Sequence, residues 1–304
     1  MKTRQSNTIK RSYADKIFDV CNVILMLGLL IVFAWPLWFV VIASISDPKL
    51  VGTGEVLLIP KKLTMASYEL MFEYSQLWKG YANTIFYTVV GTFLNLVLSV
   101  CCAYPLSNKD FVPRKFFLFM FMFTMYFSGG LIPNYLVVKE VGLVDTRWAM
   151  IVPGLVSVYN CLIIRSYFMN SIPGELRDAA TLDGANSAQY LWKVILLLSK
   201  PVLAVVGLYY MVDHWNDFYH ALIYLYDMEL YPLQSVLRNL LMSTQMLSDS
   251  TAGISDAATL EAMLELSMGM KYSVIIAAAV PVLCVYPFIQ KFFVKGVMVG
   301  SVKG

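Results

Sequence analysis

The sequence predicts an all-α integral membrane protein with six transmembrane helices. Three observations lead there. First, 59% of its 304 residues are hydrophobic and 14% are charged, where a soluble domain carries about 45–50% apolar and about 25% charged residues. Second, the mean hydropathy is +0.65. Third, the apolar residues gather in uncharged runs, and a helix needs about 17–25 such residues to cross ~30 Å of hydrocarbon. Low hydrophobicity with high charge, the mark of disorder, is absent. The net charge of +3 gives no reason to expect a nucleic-acid partner.

The first span is expected at 20–46, between Asp19 and Asp47. A signal peptide has an apolar stretch of only about 7–15 residues and a small-residue cleavage site, so an uncleaved span fits better. An outside segment comes next at 47–79. The second and third spans, 80–106 and 116–138, flank a short inside loop near 107–115. An outside loop at 139–147 leads to the fourth span, 148–164, and a longer inside loop occupies 165–200. The fifth span, 201–222, is apolar apart from Asp213 and Asp217 near one end. The outside segment 226–271 is long enough to hold short helices, for example around Leu233–Met246. The last span is 272–290, and the whole chain, 1–304, reads as one transmembrane domain.

Six spans put both termini on one side of the membrane. That side would hold 15 of the lysines and arginines, against 8 on the other. Positive charge concentrates in the cytoplasm, so both termini are expected there, in a multi-pass plasma-membrane protein. The five cysteines all lie in apolar runs, with no C-x-x-C pair, and read as small buried thiols rather than as metal ligands or disulfides. No catalytic or metal-binding constellation is visible, and there is no Gly-Lys pair from which a phosphate-binding loop could be built.

Polar residues inside the spans are patterned. In the second span Thr84, Thr88, Gly91, Asn95, Ser99 and Cys102 fall on one helix face. Small and polar residues on one face suit close helix packing or a hydrated path, in which Asn95 would be the residue to watch. In the third span Ser128-Gly129-Gly130-Leu131-Ile132-Pro133-Asn134 should interrupt the helix. Such a break fits a packing kink as well as a gate. The fifth span ends Asp213-His214-Trp215-Asn216-Asp217-Phe218-Tyr219-His220. That pattern fits an interfacial belt or a polar and aromatic mouth of the kind that suits a sugar.

The 165–200 loop is the most informative stretch. Pro173 suits the start of a short helix, Gly184 its stop, and Asn186 the cap of a second helix. Ala179 and Ala180 keep one face of the first helix flat, while Glu175, Arg177, Asp178 and Asp183 supply a polar rim. A short amphipathic helix held outside the membrane can dock a partner or lie at the interface.

Asp178-Ala179-Ala180-Thr181-Leu182-Asp183-Gly184-Ala185 resembles the E-A-A-x-x-x-G loop of permease subunits of binding-protein-dependent ABC importers, with Asp in place of the leading Glu. Leu197 stands where a proline is usual, and Lys200-Pro201 fits the S-K-P that closes the loop in such permeases. The resemblance covers nearly the whole chain and is closest to carbohydrate-uptake permeases similar to the maltose transporter's G subunit. Within them it looks like the branch for complex oligosaccharides such as aldouronate or pectin fragments. It rests on Asn83–Tyr87, Tyr104–Ser107, Phe127–Pro133, Trp215–Phe218, Tyr231–Gln234 and Lys295–Gly304.

The resemblance implies a type I ABC importer permease fold with a cytoplasmic coupling helix. It implies a second homologous permease, two cytoplasmic ATPase subunits that hold ATP and Mg, and an extracellular solute-binding lipoprotein. The chain itself would bind no cofactor. The 173–190 loop would couple to the ATPase through Glu175, Asp178, Ala179, Ala180, Asp183, Gly184 and Ala185. Residues expected along the substrate path are Asn95, Asn134, Asn160, Trp215, Asn216, Asp217 and Tyr219. Two other readings are the same importer class with a non-sugar cargo, and an ion-coupled secondary transporter using Asp213 and Asp217. Secondary transporters usually carry internal repeats, and none is visible here.

Overall fold

The computed structural model describes residues 12–249 and 270–285, with 287 and 290. The expected C-terminal stretch Lys295–Gly304, most of the outside segment beyond 249 and the basic residues before 12 lie outside the described residues. Among the described residues the regular structure is helical, with one isolated bridge between Ser46 and Leu63. These residues fall into two compact units, one drawn from the first 70 residues and 270–276, the other from 71–249 and 277–285.

In the first unit, α1 (Tyr13–Ser44) starts seven residues before the expected span. The Ser12 N–H donates to Asp15 Oδ2 at 2.8 Å and fixes that start. At about 1.5 Å per residue the helix is roughly 48 Å long, and its apolar stretch is exposed on every side. A helix that is apolar all round belongs in lipid or against a partner. α2 (Pro48–Gly52) is capped by Asp47, whose Oδ1 accepts from Lys49 N at 3.0 Å. The chain then returns, with Thr64 N–H donating to Ile45 O at 3.0 Å, into α3 (Ala66–Glu73).

The second unit is built on α4 (Ser75–Ser107), a continuous helix over the expected second span. The third expected span is two helices, α5 (Arg114–Tyr126) and α6 (Leu131–Glu140), bent by 116°. Gly130, at φ +89°, takes a backbone conformation open to glycine alone, and Pro133 offers no N–H to continue the ladder. The fourth expected span opens as two tight turns, Arg147–Met150 and Val152–Gly154. It then bends by 50° into α7 (Val158–Ser171), whose start is capped by Ser157.

After α8 (Glu175–Leu182) come α9 (Ser187–Tyr190), a π turn (Leu191–Ile195) and α10 (Leu196–Leu198). An 81° bend at Ser199 then leads into α11 (Lys200–Trp215). That helix stops short of the expected end at 222, and a new helix, α12 (Tyr219–Tyr224), follows; just before it the Asp217 carboxylate accepts from His220 N at 3.1 Å. α13 (Leu233–Asp249) lies where a short outside helix is expected, and α14 (Met270–Val285) closes the described chain. Among the described residues, only α1 and α4 are individually long and apolar enough to cross a bilayer; each of the three bent pairs reaches that length jointly.

α4 packs against α7 and α11 around Val100, Ala103, Ile164, Val206 and Tyr210. Towards its other end Tyr87 packs with Met150, Ile151, Ala221 and Tyr224. The loops there are stitched by polar contacts. Lys79 pairs with Glu229 at 2.6 Å, Asn83 donates to Glu229 O at 2.7 Å, and Thr84 Oγ1 accepts from Leu233 N at 2.7 Å. Asp145 Oδ1 accepts from Asp227 N at 2.9 Å and Tyr226 N at 2.8 Å, and these backbone donors hold its carboxyl below the usual carboxylate range. The cysteines correct the sequence expectation: Cys161 is buried and Cys102 half-buried, but Cys21, Cys101 and Cys284 are exposed, left uncovered by the other described residues.

Candidate functional site

Two places in the second unit bring polar residues together: a cleft beside α4 and α11, and the loop around α8. In the cleft, Tyr210, Asp213, His214 and Asp217 sit at i, i+3, i+4 and i+7, so α11 and its end present them on one side. α4 contributes Asn95, the turn before α7 contributes Gly154 and Ser157, and α12 contributes Tyr219 and His220. These residues surround a cleft of about 430 Å³.

Asn95 is fully buried at its floor. Its amide donates to Gly154 O at 2.7 Å and to Leu155 O at 3.0 Å. That leaves its Oδ1 as the acceptor facing His214 Nε2 at 2.9 Å, so the imidazole carries its proton on Nε2. The close approach of α11 depends on Gly91, where a Cβ would stand 2.3 Å from that same nitrogen. Tyr210 Oη lies 2.7 Å from Ser99 Oγ and accepts from Ser157 N at 3.2 Å. Asp217 Oδ2 meets His220 Nδ1 at 2.7 Å.

Four of the residues expected along a path therefore line this cleft: Asn95, Asn216, Asp217 and Tyr219. Asn160 lines an adjoining hollow with Tyr159, Tyr209 and Asp213. Trp215 lies outside both; it is buried, and its Nε1 donates to Ala278 O at 3.1 Å. Asn134 is exposed on α6 and lines neither. Asp213, His214 and His220 belong to the polar mouth expected at 213–220 though not to the expected path residues; the polar cleft residues that sequence reasoning misses are Tyr210 and Ser157. The i, i+3, i+4, i+7 spacing on α11 is the available signal for Tyr210. Among the described residues no group of three or more His, Cys, Asp or Glu is placed to hold a metal ion.

The loop obeys its sequence closely. α8 has eight residues and ends in a Schellman turn: Gly184 N–H donates to Thr181 O at 3.1 Å and Ala185 N–H to Ala180 O at 2.9 Å. Gly184 sits at φ +75°. Asn186 Oδ1 then caps α9 by accepting from Gln189 N at 2.8 Å, and Gln189 Oε1 accepts in return from Asn186 N at 2.9 Å. Glu175, Asp178, Ala179, Asp183 and Gly184 are exposed, while Ala180 and Ala185 are half-buried. α8 is held by its inner face. Arg177 donates to Asn108 Oδ1 and pairs with Asp110 Oδ2 at 3.0 Å, both in the loop after α4. Tyr104 Oη also donates to Ser187 O at 3.2 Å.

No family model matches the chain. It is similar to Protein LplC of Bacillus subtilis (strain 168), 38% identical over 298 residues that cover 98% of this chain and 99% of that one. It is 37% identical over 295 residues to the polygalacturonan/rhamnogalacturonan transport system permease protein YtcP of the same organism, covering 95% and 99%. Among solved structures, it matches a chain of a bacterial ABC transporter involved in the import of the acidic polysaccharide alginate. That match has a TM-score of 0.84 and 32% identity, over 94% of this chain and 100% of that one.

Proposed function

The chain belongs to the permease subunits of ABC sugar transport systems, and from that premise we propose how it works within one. It moves an oligosaccharide across the plasma membrane by alternating access, with both termini cytoplasmic. α1, α4, α14 and the three bent helix pairs make up six membrane crossings. A second homologous permease pairs with it, and a binding lipoprotein delivers the sugar from outside. Two ATPase subunits hold ATP and Mg and do the hydrolysis; this chain supplies no catalytic residue.

The observation that carries the coupling role is α8. It is short, capped at its end by the Gly184 turn, tied on its inner face through Arg177, and exposed along Glu175, Asp178, Ala179 and Asp183. A rigid, exposed helix of this kind suits a groove on an ATPase, whose closure on ATP would carry α8 with it. The cleft beside Asn95 and Asp213 is this chain's share of the sugar path. Its mix of carboxylate, amide and aromatic groups suits hydroxyls and sugar ring faces.

Purifying the tagged chain from its own membrane in mild detergent tests the assembly. A second permease, an ATPase with a phosphate-binding loop and a binding lipoprotein should co-purify, and the reconstituted assembly should take up sugar only with ATP. Sugar uptake by the chain alone would overturn the reading.

A further inference from the structure

A second cavity, of about 350 Å³, lies beneath α8 and shares no lining residue with the cleft beside α4 and α11. Pockets that hold small molecules measure about 300–1,000 Å³, so it is large enough for a small ligand. Its floor is apolar, with Phe168 and Ile172 at the end of α7 and Ile195 in the π turn, all buried. Tyr104 and Tyr190 add aromatic rings to its wall. Lys109 lines it from the loop after α4, and Arg177 and Asp178 line it from α8.

Three donors in this cavity are free or weakly held. Tyr190 is 6% exposed, yet among the described residues its hydroxyl has no hydrogen-bond partner. An unpaired buried hydroxyl is unfavourable, and a ligand that bonds it removes that cost. Lys109 is exposed and, among the described residues, has no ion-pair partner. Arg177 is tied to Asn108 and to the largely exposed Asp110. An exposed pair of this kind contributes little, so a competing carboxylate displaces it readily.

The two cations call for an anion, and a guanidinium suits a carboxylate. The Tyr190 hydroxyl and the Asp178 carboxylate call for hydroxyls, which both donate and accept. The aromatic wall suits the face of a sugar ring. An acidic monosaccharide has all three features, whereas inorganic phosphate has the charge alone.

We propose that this cavity binds a uronate monosaccharide, whose carboxylate takes Arg177 from Asp110 and meets Lys109, and whose hydroxyls engage Tyr190 and Asp178. The bound sugar unties α8 from the end of α4. Less cargo then moves per ATP hydrolysed, so uronate inside the cell restrains import. The inference rests on the reading of α8 as the coupling helix, in a cytoplasmic loop of a sugar permease.

The test uses the whole importer in proteoliposomes, with ATP enclosed on the ATPase side and the binding protein outside, loaded with the sugar it carries. Sugar moved per ATP hydrolysed is read with galacturonate, galactose or inorganic phosphate enclosed as well. Saturating galacturonate should lower that ratio at least about five-fold. Galactose and phosphate should leave it unmoved. Lys109→Gln, at an exposed position, and Tyr190→Phe, which keeps the ring, should each need about five-fold more galacturonate for half the effect. A ratio that enclosed galacturonate leaves unmoved overturns the proposal, as does an equal effect of galactose or phosphate. Wild-type sensitivity to galacturonate in both variants overturns it too. A normal ratio in Arg177→Ala with none of the three enclosed would overturn the coupling role of the tie first. Absence of ATP-dependent uptake under that condition in the wild type would overturn the permease reading, and this inference falls with either.

Discussion

Asn95 Oδ1 lies 2.9 Å from His214 Nε2, and this contact joins α4 to α11 at the floor of the cleft, as the 2.7 Å contact of Ser99 Oγ with Tyr210 Oη does beside it. The Asn95 side chain also holds the carbonyls of Gly154 and Leu155, so one residue ties together three segments. Asn95→Leu removes all three hydrogen bonds at a fully buried position. The buried His214 imidazole left without its acceptor should cost about 1–3 kcal/mol, and the more exposed carbonyls of Gly154 and Leu155 less. The variant should show a lower melting temperature in detergent and reduced uptake. Asn95→Asp should fare little better, because an ionised carboxylate cannot donate to the two carbonyls. Wild-type melting in Asn95→Leu would show that the contact carries no weight.

Gly91 tests the same interface by size. A Cβ there would meet His214 Nε2 at 2.3 Å and Cε1 at 2.6 Å, so Gly91→Ala forces α11 away from α4. Overpacking of this kind costs about 1–3 kcal/mol. At Gly207 a Cβ would instead meet the flexible end of Leu96 at 3.3 Å. Melting curves should therefore rank Gly207→Ala as milder than Gly91→Ala, and the reverse order would contradict this packing.

The stretches most legible in the sequence are those whose signals are local. Gly184 and Asn186 act within five residues of themselves, so the end of α8 and the start of α9 follow from residue type alone. The polar arc on α4 is equally visible, and five of its six members are buried, with Cys102 half-buried. What it does not reveal is its partners: Thr84 serves Leu233, and Asn95 serves His214, both more than a hundred residues away. The break at Ser128–Pro133 is readable, but the 116° bend is not, since it depends on the φ that Gly130 adopts. Trp215 reads as a mouth residue by type, yet a carbonyl on α14 takes up its indole N–H. Arg177 reads as part of a solvated rim until the loop after α4 is folded beneath it.

Gly184 separates backbone strain from docking. At φ +75° a side chain is strained whatever the space around it, and a Cβ there would meet nothing within 4 Å. A non-glycine residue in the left-handed region costs about 1–2 kcal/mol, and Asn tolerates it better than most. Gly184→Asn should retain more uptake than Gly184→Ala. Gly184→Arg should insert normally but, if α8 is the docking surface proposed above, lose sugar-stimulated ATP hydrolysis, because its bulk projects from that surface. Normal uptake by Gly184→Arg would remove the loop from the coupling path.

The Arg177–Asp110 pair is half-exposed on one side and largely exposed on the other, with side-chain exposures of 42% and 77%. Exposed pairs contribute about 0–1 kcal/mol, so Arg177→Ala should barely move the melting temperature. Its effect should appear in coupling, as less sugar moved per ATP hydrolysed, because α8 is then no longer tied to the end of α4. Exchanging the two charges, Arg177→Asp with Asp110→Arg, should restore part of that ratio. If Arg177→Ala leaves the ratio unchanged, the tie is a surface contact and nothing more.

Asp145 gives the loop between α6 and α7 a dependence on pH. Hydrogen bonds from the backbone N–H groups of Asp227 and Tyr226 favour its ionised form and lower its pKa in the folded protein. A lowered carboxylate pKa stabilises the fold at pH values above the ordinary carboxylate range. That contribution fades as the pH falls through the lowered value. The protection factors of the Tyr226 and Asp227 amides, that is, exchange relative to the intrinsic rate at each pH, should therefore be high near neutral pH and fall in acid. Asp145 also sits at φ +58°, a conformation that asparagine tolerates. Asp145→Asn keeps an oxygen acceptor in the same place but has no proton to gain, so it should hold the two amides with protection that no longer varies between neutral and acid pH. Asp145→Ala loses the acceptor and should expose both amides at every pH. Equal protection in the wild type and Asp145→Ala would mean that other contacts hold this loop.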